Sequence, residues 1–370
     1  MTPKNNGGML SDLFFFIPRL QNRRGIALLV TLAVITVIVA LSIELHKQKR
    51  LAVLSSAESR NQVTLNYMAD SGIHIAMAML IRDRIDSELD SIQEDWAQPE
   101  KRNELLADFP FDEGSLEVSI SDERGRIQVN ALVALPGHEF NPLQFHIWDR
   151  LFGFVKKMDE TLSDLDHIAI INSVKDWMDT GDDETITGLT GAESDYYESL
   201  DPPYSCRNGP VDHLGELFRI KGITTSLMSG TDNANDLMAY LSVNGATAIA
   251  QGSYTFDGMI NINTAPLPVL AALLPEEFEA YAQDLFDYRI EKSDDQYVNS
   301  LTESKWYKHV PGLEELDLQA DLITAASDLF RIVATATLQE KQRRITALVQ
   351  RETGKESGKW GCRILRWQID

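Results

Sequence analysis

Between Asp176 and Asp195 the chain carries seven carboxylates, on Asp176, Asp179, Asp182, Asp183, Glu184, Glu193 and Asp195. Carboxylates gathered this closely repel one another unless water screens them or a cation bridges them. A hard ion such as Ca²⁺, which takes about six to eight oxygen ligands, suits such a set; plain solvation of an acidic loop is the other reading. The run Asp179-Thr-Gly-Asp182-Asp183-Glu184 does not have EF-hand spacing. Other chemistry is sparse. There is no HExxH, GxSxG, Walker P-loop or GxGxxG after a strand, so the sequence offers no catalytic motif. His138, His146, His167 and His213 are scattered without ligand spacing. Cys206 and Cys362 are the only cysteines, and they either form one disulfide or stay two thiols.

The elements that must carry these residues begin with a membrane-like helix. Ile26 to Ile43 is eighteen residues without a charge. At about 1.5 Å per residue it nearly spans a hydrocarbon core of about 30 Å. Arg23 and Arg24 precede it and place the N-terminus in the cytoplasm by the positive-inside rule, although Lys47, Lys49 and Arg50 follow on the far side. Helical periodicity continues through Val63, Tyr67, Ile73, Met77, Leu80 and Ile85, with a kink or break expected near Gly72 or Asp86.

Pro99 and Pro110 end helical structure. Alternation at 115–120 and 126–130 around an Asp-Glu-Arg-Gly turn predicts a hairpin, and 329–338 with 343–350 predicts a second one. A further strand is expected over 363–369. The stretch between is mostly helical in pattern. Strands, a helical block and strands again indicate an α+β chain with a helical domain inserted in a small antiparallel sheet.

The formal net charge is −22, although the first 25 residues are net basic. So acidic a surface repels nucleic-acid backbones and anionic lipid, and it suits divalent cations or basic protein partners; simple solubility explains it equally well. Residues 261–274, with Arg289 beyond, resemble one helix-hairpin-helix unit, and residues 214–223 look like half of another. Leu274-Pro275-Glu276-Glu277 replaces the phosphate-cradling glycine turn in the first, so nucleic acid is not an expected partner.

The junction Arg23-Arg24-Gly25-Ile26 resembles a prepilin peptidase site, which implies cleavage between Gly25 and Ile26. Six stretches then follow in order: Arg24 to Leu29, Gly125 to Leu132, Asp176-Trp-Met-Asp179, Gly191-Ala-Glu193 with Tyr196-Tyr197, Pro203-Tyr204 with Arg207-Asn-Gly209, and Ile260 to Pro266. Together they resemble general secretion pathway protein K, the minor pseudopilin K family of type II secretion systems.

The resemblance implies an α+β pilin-like fold, a long N-terminal helix packed on a small antiparallel sheet with a large mainly α-helical insertion. It sets a leader at 1–25, a transmembrane part at 26–45 and the pilin helix with first strands at 46–130. The inserted domain is expected at 131–325 and the closing strands at 326–370. It implies a non-enzymatic protein of the bacterial inner membrane, single-pass, with its C-terminal domain in the periplasm. The implied partners are other minor pseudopilins in a tip complex, the major pseudopilin, prepilin peptidase and the inner-membrane assembly platform. Calcium is the implied cofactor, with Asp179, Asp183 and Glu193 as ligands and Asp182 and Asp195 as further candidates. Most pilin-like chains carry a membrane-buried glutamate at the fifth mature position. Val30 stands there, as in the K-type subunit thought to sit at a filament tip. The alternatives are a minor pilin of a type IV pilus or competence system and, behind it, a DNA-binding helix-hairpin-helix membrane protein.

Overall fold

The computed structural model describes residues 23–134, 137, 139–180, 186–229, 236–248, 254–303, 305–354 and 358–370. The chain divides into two compact units at Val63/Thr64, a boundary inside the first helix rather than at its apolar end. That helix, α1, runs unbroken from Arg23 to Asp86. In the first unit its apolar run has a mean hydropathy of 3.0 and no buried residues, the composition of a single membrane span. Thr31 and Thr36 donate their hydroxyls to the carbonyls of Leu28 and Ala33, so neither brings an unsatisfied polar group to the span.

In the second unit α1 becomes one-sided. Leu65, Met68, Ala69, Ile73, Ala76 and Leu80 recur at three- and four-residue intervals and are all buried. They pack on a four-stranded antiparallel sheet in the order β1-β10-β11-β12, built from Ser115–Asp122, Leu329–Leu338, Lys341–Thr353 and Trp360–Ile369. Alternate residues of these strands face the helix, among them Val118, Ile120, Ile332, Ala334, Ile345 and Ala347. No break occurs at Gly72. A Cβ there would stand 3.0–3.1 Å from Val118, Ala334 and Leu116, so glycine serves close approach of helix and sheet. The helix ends at Asp86, and α2 (Pro99–Ala107) follows with proline in its first turn.

The first expected hairpin does not form. β1 pairs with β10, matching Val118 with Ala334. Residues 126–130 leave the sheet: β2 (Ile127–Gln128) pairs in parallel with β3 (Leu241–Ser242), and a 3₁₀ turn follows. Ile127 and Val129 belong to a second core, and Asn130 is buried between the carbonyls of Val211 and Val243. The second expected hairpin is β10–β11, and β12 completes the sheet with a bulge at Leu348/Val349.

Residues 123–328 lie between β1 and β10 and hold that second core. Its helices are α3 (Pro142–Met158), α4 (His167–Met178), α5 (Ser194–Glu198), α6 (Thr225–Ser229), α7 (Leu267–Leu273) and α8 (Ala282–Ile290). Short strand pairs punctuate them: hairpin β4–β5 (Ala246–Ala248, Tyr254–Phe256), parallel β6–β9 (Ile260–Asn261, Ile323–Thr324) and hairpin β7–β8 (Lys292–Ser293, Gln296–Tyr297).

Buried polar groups join the sheet to this core. Asn261 donates to Asp122 at 2.8 Å and to the carbonyl of Asp90, and Thr264 donates to Asp122 at 2.7 Å. A Cβ on Gly125 would meet the Thr264 hydroxyl at 2.8 Å, which brings the stretches 125–132 and 260–266 face to face. Of the suspected helix-hairpin-helix elements, the first is largely interior, while in the second Gly215, Phe218, Arg219 and Gly222 are exposed. α7 is buried from Pro268 to Leu273, residues 214–219 are 3₁₀, and Arg289 spends its guanidinium on the carbonyls of Ile262 and Ala265.

Candidate metal centre

α4 positions the acidic group. Asp166 caps its N-terminus by accepting from the Ala169 amide, while Ile170, Ile171, Val174, Trp177 and Met178 bury one side. Asp176 lies on the buried side with no exposure, so its carboxylate depends on internal donors. The amide of Thr187 reaches both oxygens at 3.1 Å, and the amide of Ala192 reaches Oδ2 at 2.8 Å. Gly191 makes that approach possible, because a Cβ there would stand 2.0 Å from Asp176 Oδ2. Lys221 holds the same loop through the carbonyls of Thr190 and Gly191.

One helical turn on, Asp179 is also buried and accepts from Lys175 at 2.6 Å. Glu193, buried at the N-cap position of α5, closes the group. Asp176, Asp179 and Glu193 each bring a carboxylate oxygen within 4.8 Å of the other two. Of the residues the sequence singled out, Asp179 and Glu193 are therefore together. Asp195 is exposed in the first turn of α5 and stands outside the group. Asp182 and Asp183 lie outside the described residues. Asp176 takes the third place; its signal in the sequence was the three-residue spacing to Asp179, which sets both on one helix face.

The stretches around Tyr197, Tyr204 and Arg207 pack about Trp177 of α4. Trp177 meets Tyr197 edge-on at 5.0 Å and donates from Nε1 to Glu216, which also holds Arg207. Tyr197 and Tyr204 lie 5.5 Å apart, and burial pushes the Tyr197 phenol well up. The amide of Asn208, in the left-handed region at φ 51°, donates to the Trp177 carbonyl. Cys206 sits here too, its Sγ donating to the Asp176 carbonyl at 3.3 Å. Cys362 is on β12 with its Sγ toward the Met77 carbonyl. The two sulfurs belong to different cores and are thiols, so the disulfide reading is not realised.

The donor set fits a hard divalent cation. All three groups are carboxylates, and among the described residues Lys175 is the cation that pairs with one of them, Asp179. A second trio, Asp83, Asp90 and Glu94, differs in kind because the guanidinium of Arg351 already bonds Asp83 and Asp90.

A single apolar N-terminal helix that continues onto a four-stranded antiparallel sheet, with a helical domain inserted after the first strand, defines a pilin-like protein of the large, insertion-bearing kind. Residues 125–231 match the family model of type II secretion system (T2SS) protein K. Type II secretion system protein K of Pseudomonas aeruginosa is 28% identical over 294 residues, which are 76% of this chain and 78% of that protein. Its namesake from Klebsiella pneumoniae is 24% identical over 355 residues, 90% and 97% of the two chains. Among solved structures, a chain of the GspK-GspI-GspJ complex from the enterotoxigenic Escherichia coli type 2 secretion system matches with a TM-score of 0.57. It is 16% identical, and the match covers 85% of this chain and 99% of that one, a likeness of fold. In sequence the chain is similar to type II secretion system protein K, and it shares the fold of the solved chain.

Proposed function

We propose that the chain is the protein K component of a type II secretion system. It is a minor pseudopilin that joins other minor pseudopilins in a tip complex and promotes pseudopilus assembly for the export of folded proteins. The observation that carries this reading is the insertion of residues 123–328 between two neighbouring strands of an otherwise small pilin sheet. A subunit so enlarged would obstruct its own stacking along a filament, which favours a place at the end. Val30 agrees, since it offers no carboxylate to pair with a neighbour's N-terminal ammonium in the bilayer.

The apolar part of α1 anchors the chain once in the inner membrane, with Arg23 and Arg24 cytoplasmic and the larger unit periplasmic. Prepilin peptidase would cut between Gly25 and Ile26. The role is structural rather than enzymatic. Asp176, Asp179 and Glu193 would hold calcium, which supplies a fixed positive centre between α4 and the loop before α5. The chain's own contribution is to bury the three carboxylates and to aim that of Asp176 through Gly191, Thr187 and Ala192.

The direct test is the N-terminal sequence of the protein from membranes with and without an active prepilin peptidase. A chain that begins at Ile26 only when the peptidase is present supports the reading. An intact Met1 in both refutes it. Co-purification with type IV pilus or competence subunits, in place of secretion pseudopilins, would reassign the system.

A further inference from the structure

A trough runs along the outer flank of α1 in the second unit, between that helix and α2. Its main part has a volume of about 780 Å³ and is floored by Ile75, Met79, Trp96, Leu105 and Phe109. A shallower part shares Ile75 and Phe109 and continues to Asp70. From Asp70 to Asp86 the helix advances roughly 24 Å, between four and five turns of a second helix laid alongside. The rim is predominantly acidic: Asp83, Asp86, Glu94, Asp95, Glu104 and Asp108 face it, against Arg82 and Lys101. Both cations bond acids of the same rim, Arg82 to Asp86 at 3.9 Å and Lys101 to Glu104 at 3.1 Å, as exposed pairs that weigh little. At the deep end Asp83 and Glu94 bring carboxylate oxygens within 4.8 Å of each other.

We infer that this trough docks a cationic amphipathic helix of a partner protein, with its apolar face on the Ile75–Leu105 floor and a lysine or arginine on Asp83 and Glu94. An apolar floor alone would accept many occupants, and the predominantly acidic rim selects among them. A helical guest fits the length and the parallel walls, as in other helix-in-groove recognition. Asp83 gives a second handle. Burial, with Glu94 and Asp90 nearby, raises it to about 7 despite Arg351 of β11. Arg82 and Asp86, on the same helix and paired with each other, line the same trough. A cationic guest favours the carboxylate form, so binding should tighten from pH 6 to pH 8.

The test uses the full-length chain in non-ionic detergent and an 18-residue probe peptide of leucine and lysine at helical spacing, with one leucine replaced by photo-leucine. Crosslinks mapped by mass spectrometry should fall on residues 75–109. Their yield should drop at least tenfold in Asp86→Lys/Glu104→Lys. It should stay within twofold in Asp284→Lys/Asp287→Lys, which reverses exposed acids on α8. Equal losses in the two variants would show diffuse attraction to an acidic protein and overturn the inference. So would crosslinks of equal yield from a peptide with glutamate in place of lysine, or crosslinks that map elsewhere.

Discussion

Replacing Arg351 with methionine should cost about 4 kcal/mol of folding stability. The side chain reaches from β11 into the angle between the end of α1 and the segment that follows, and it is 1% exposed. It donates to Asp83 at 3.0 Å, to Asp90 at 2.7 Å, and to the carbonyls of Leu80 and Ser327 at 3.1 and 2.7 Å. Methionine fills much of the volume but leaves Asp90, which has no exposure, with the Ser327 amide as its described donor. Removing one partner of a buried ion pair costs about 3–5 kcal/mol because the other stays behind. At about 1.36 kcal/mol per decade, the expected loss is a thousandfold shift of the unfolding equilibrium.

Urea unfolding of the full chain in detergent, followed by tryptophan fluorescence, measures it. Trp96 lies edge-on to Phe330, and the guanidinium of Arg351 covers the same ring at 4.6 Å, which puts a reporter beside the change. Asp90→Asn in the Arg351→Met background should recover about 2 kcal/mol, since the fully buried charge is then gone and Asp83, less deeply placed, is the carboxylate left. The penalty should also be smaller at pH 5 than at pH 8. Burial already raises Asp90 to about 6 against the pull of Arg351, and loss of that cation raises it further. A folded state that binds protons the unfolded chain does not is favoured at low pH and loses that advantage as pH rises through the folded value. A loss below about 1 kcal/mol, or single-variant losses that simply add in the double variant, would refute the reasoning.

Three further expectations concern other sites. Calcium should raise the thermal midpoint of the full chain relative to a chelator, by the equivalent of about 2.7 kcal/mol at a hundredfold excess over Kd, and Asp179→Asn or Asp176→Asn should abolish the shift. Gly72→Leu should destabilise by about 3 kcal/mol in urea titrations, because a bulky side chain meets Val118 and Ala334 where even a Cβ is tight. Mass spectrometry of the non-reduced protein, alkylated after denaturation, should find two alkylated cysteines. In the native protein Cys362 should react slowly at pH 8, since burial pushes its thiol up to about 11.

The sequence displayed most of the frame. The uncharged run after Arg24, the stripe through Ile73 and Leu80 and the alternation of residues 329–338 and 363–369 each follow from one local period, and each formed the element it indicates. Residues 126–130 alternate just as well, yet Ile127 and Val129 serve the inserted core; a period of two reports that a segment is extended, not which partner it takes. Gly72 was ambiguous for a related reason. Low helix propensity marks either a break or a close neighbour, and the neighbour, β1 with β10, comes from residues far away in the chain.

At the candidate site, Asp179 and Glu193 were legible as members of an acidic run. Asp176 was harder to rank because its partners are backbone amides of Thr187 and Ala192, which composition does not reveal. Asp195 follows the cap of α5 by two positions, enough rotation to turn it to solvent.

The pairing of β1 with β10 also sets an order of events during synthesis. Residues 64–122 supply the apolar helix stripe and one strand, but the three strands that cover them belong to residues 329–369. Until these are made, Leu65, Ile73 and Leu80 have only β1 for shelter, and a two-layer unit of that size is marginal in water. The inserted core closes on its own side chains in the meantime and brings residues 123 and 328 together, which shortens the loop that β10 must close to reach β1. The insertion thus acts as a clasp: a defect deep in its interior would leave the helix stripe bare for longer and reach the quality-control machinery as a failure of the sheet.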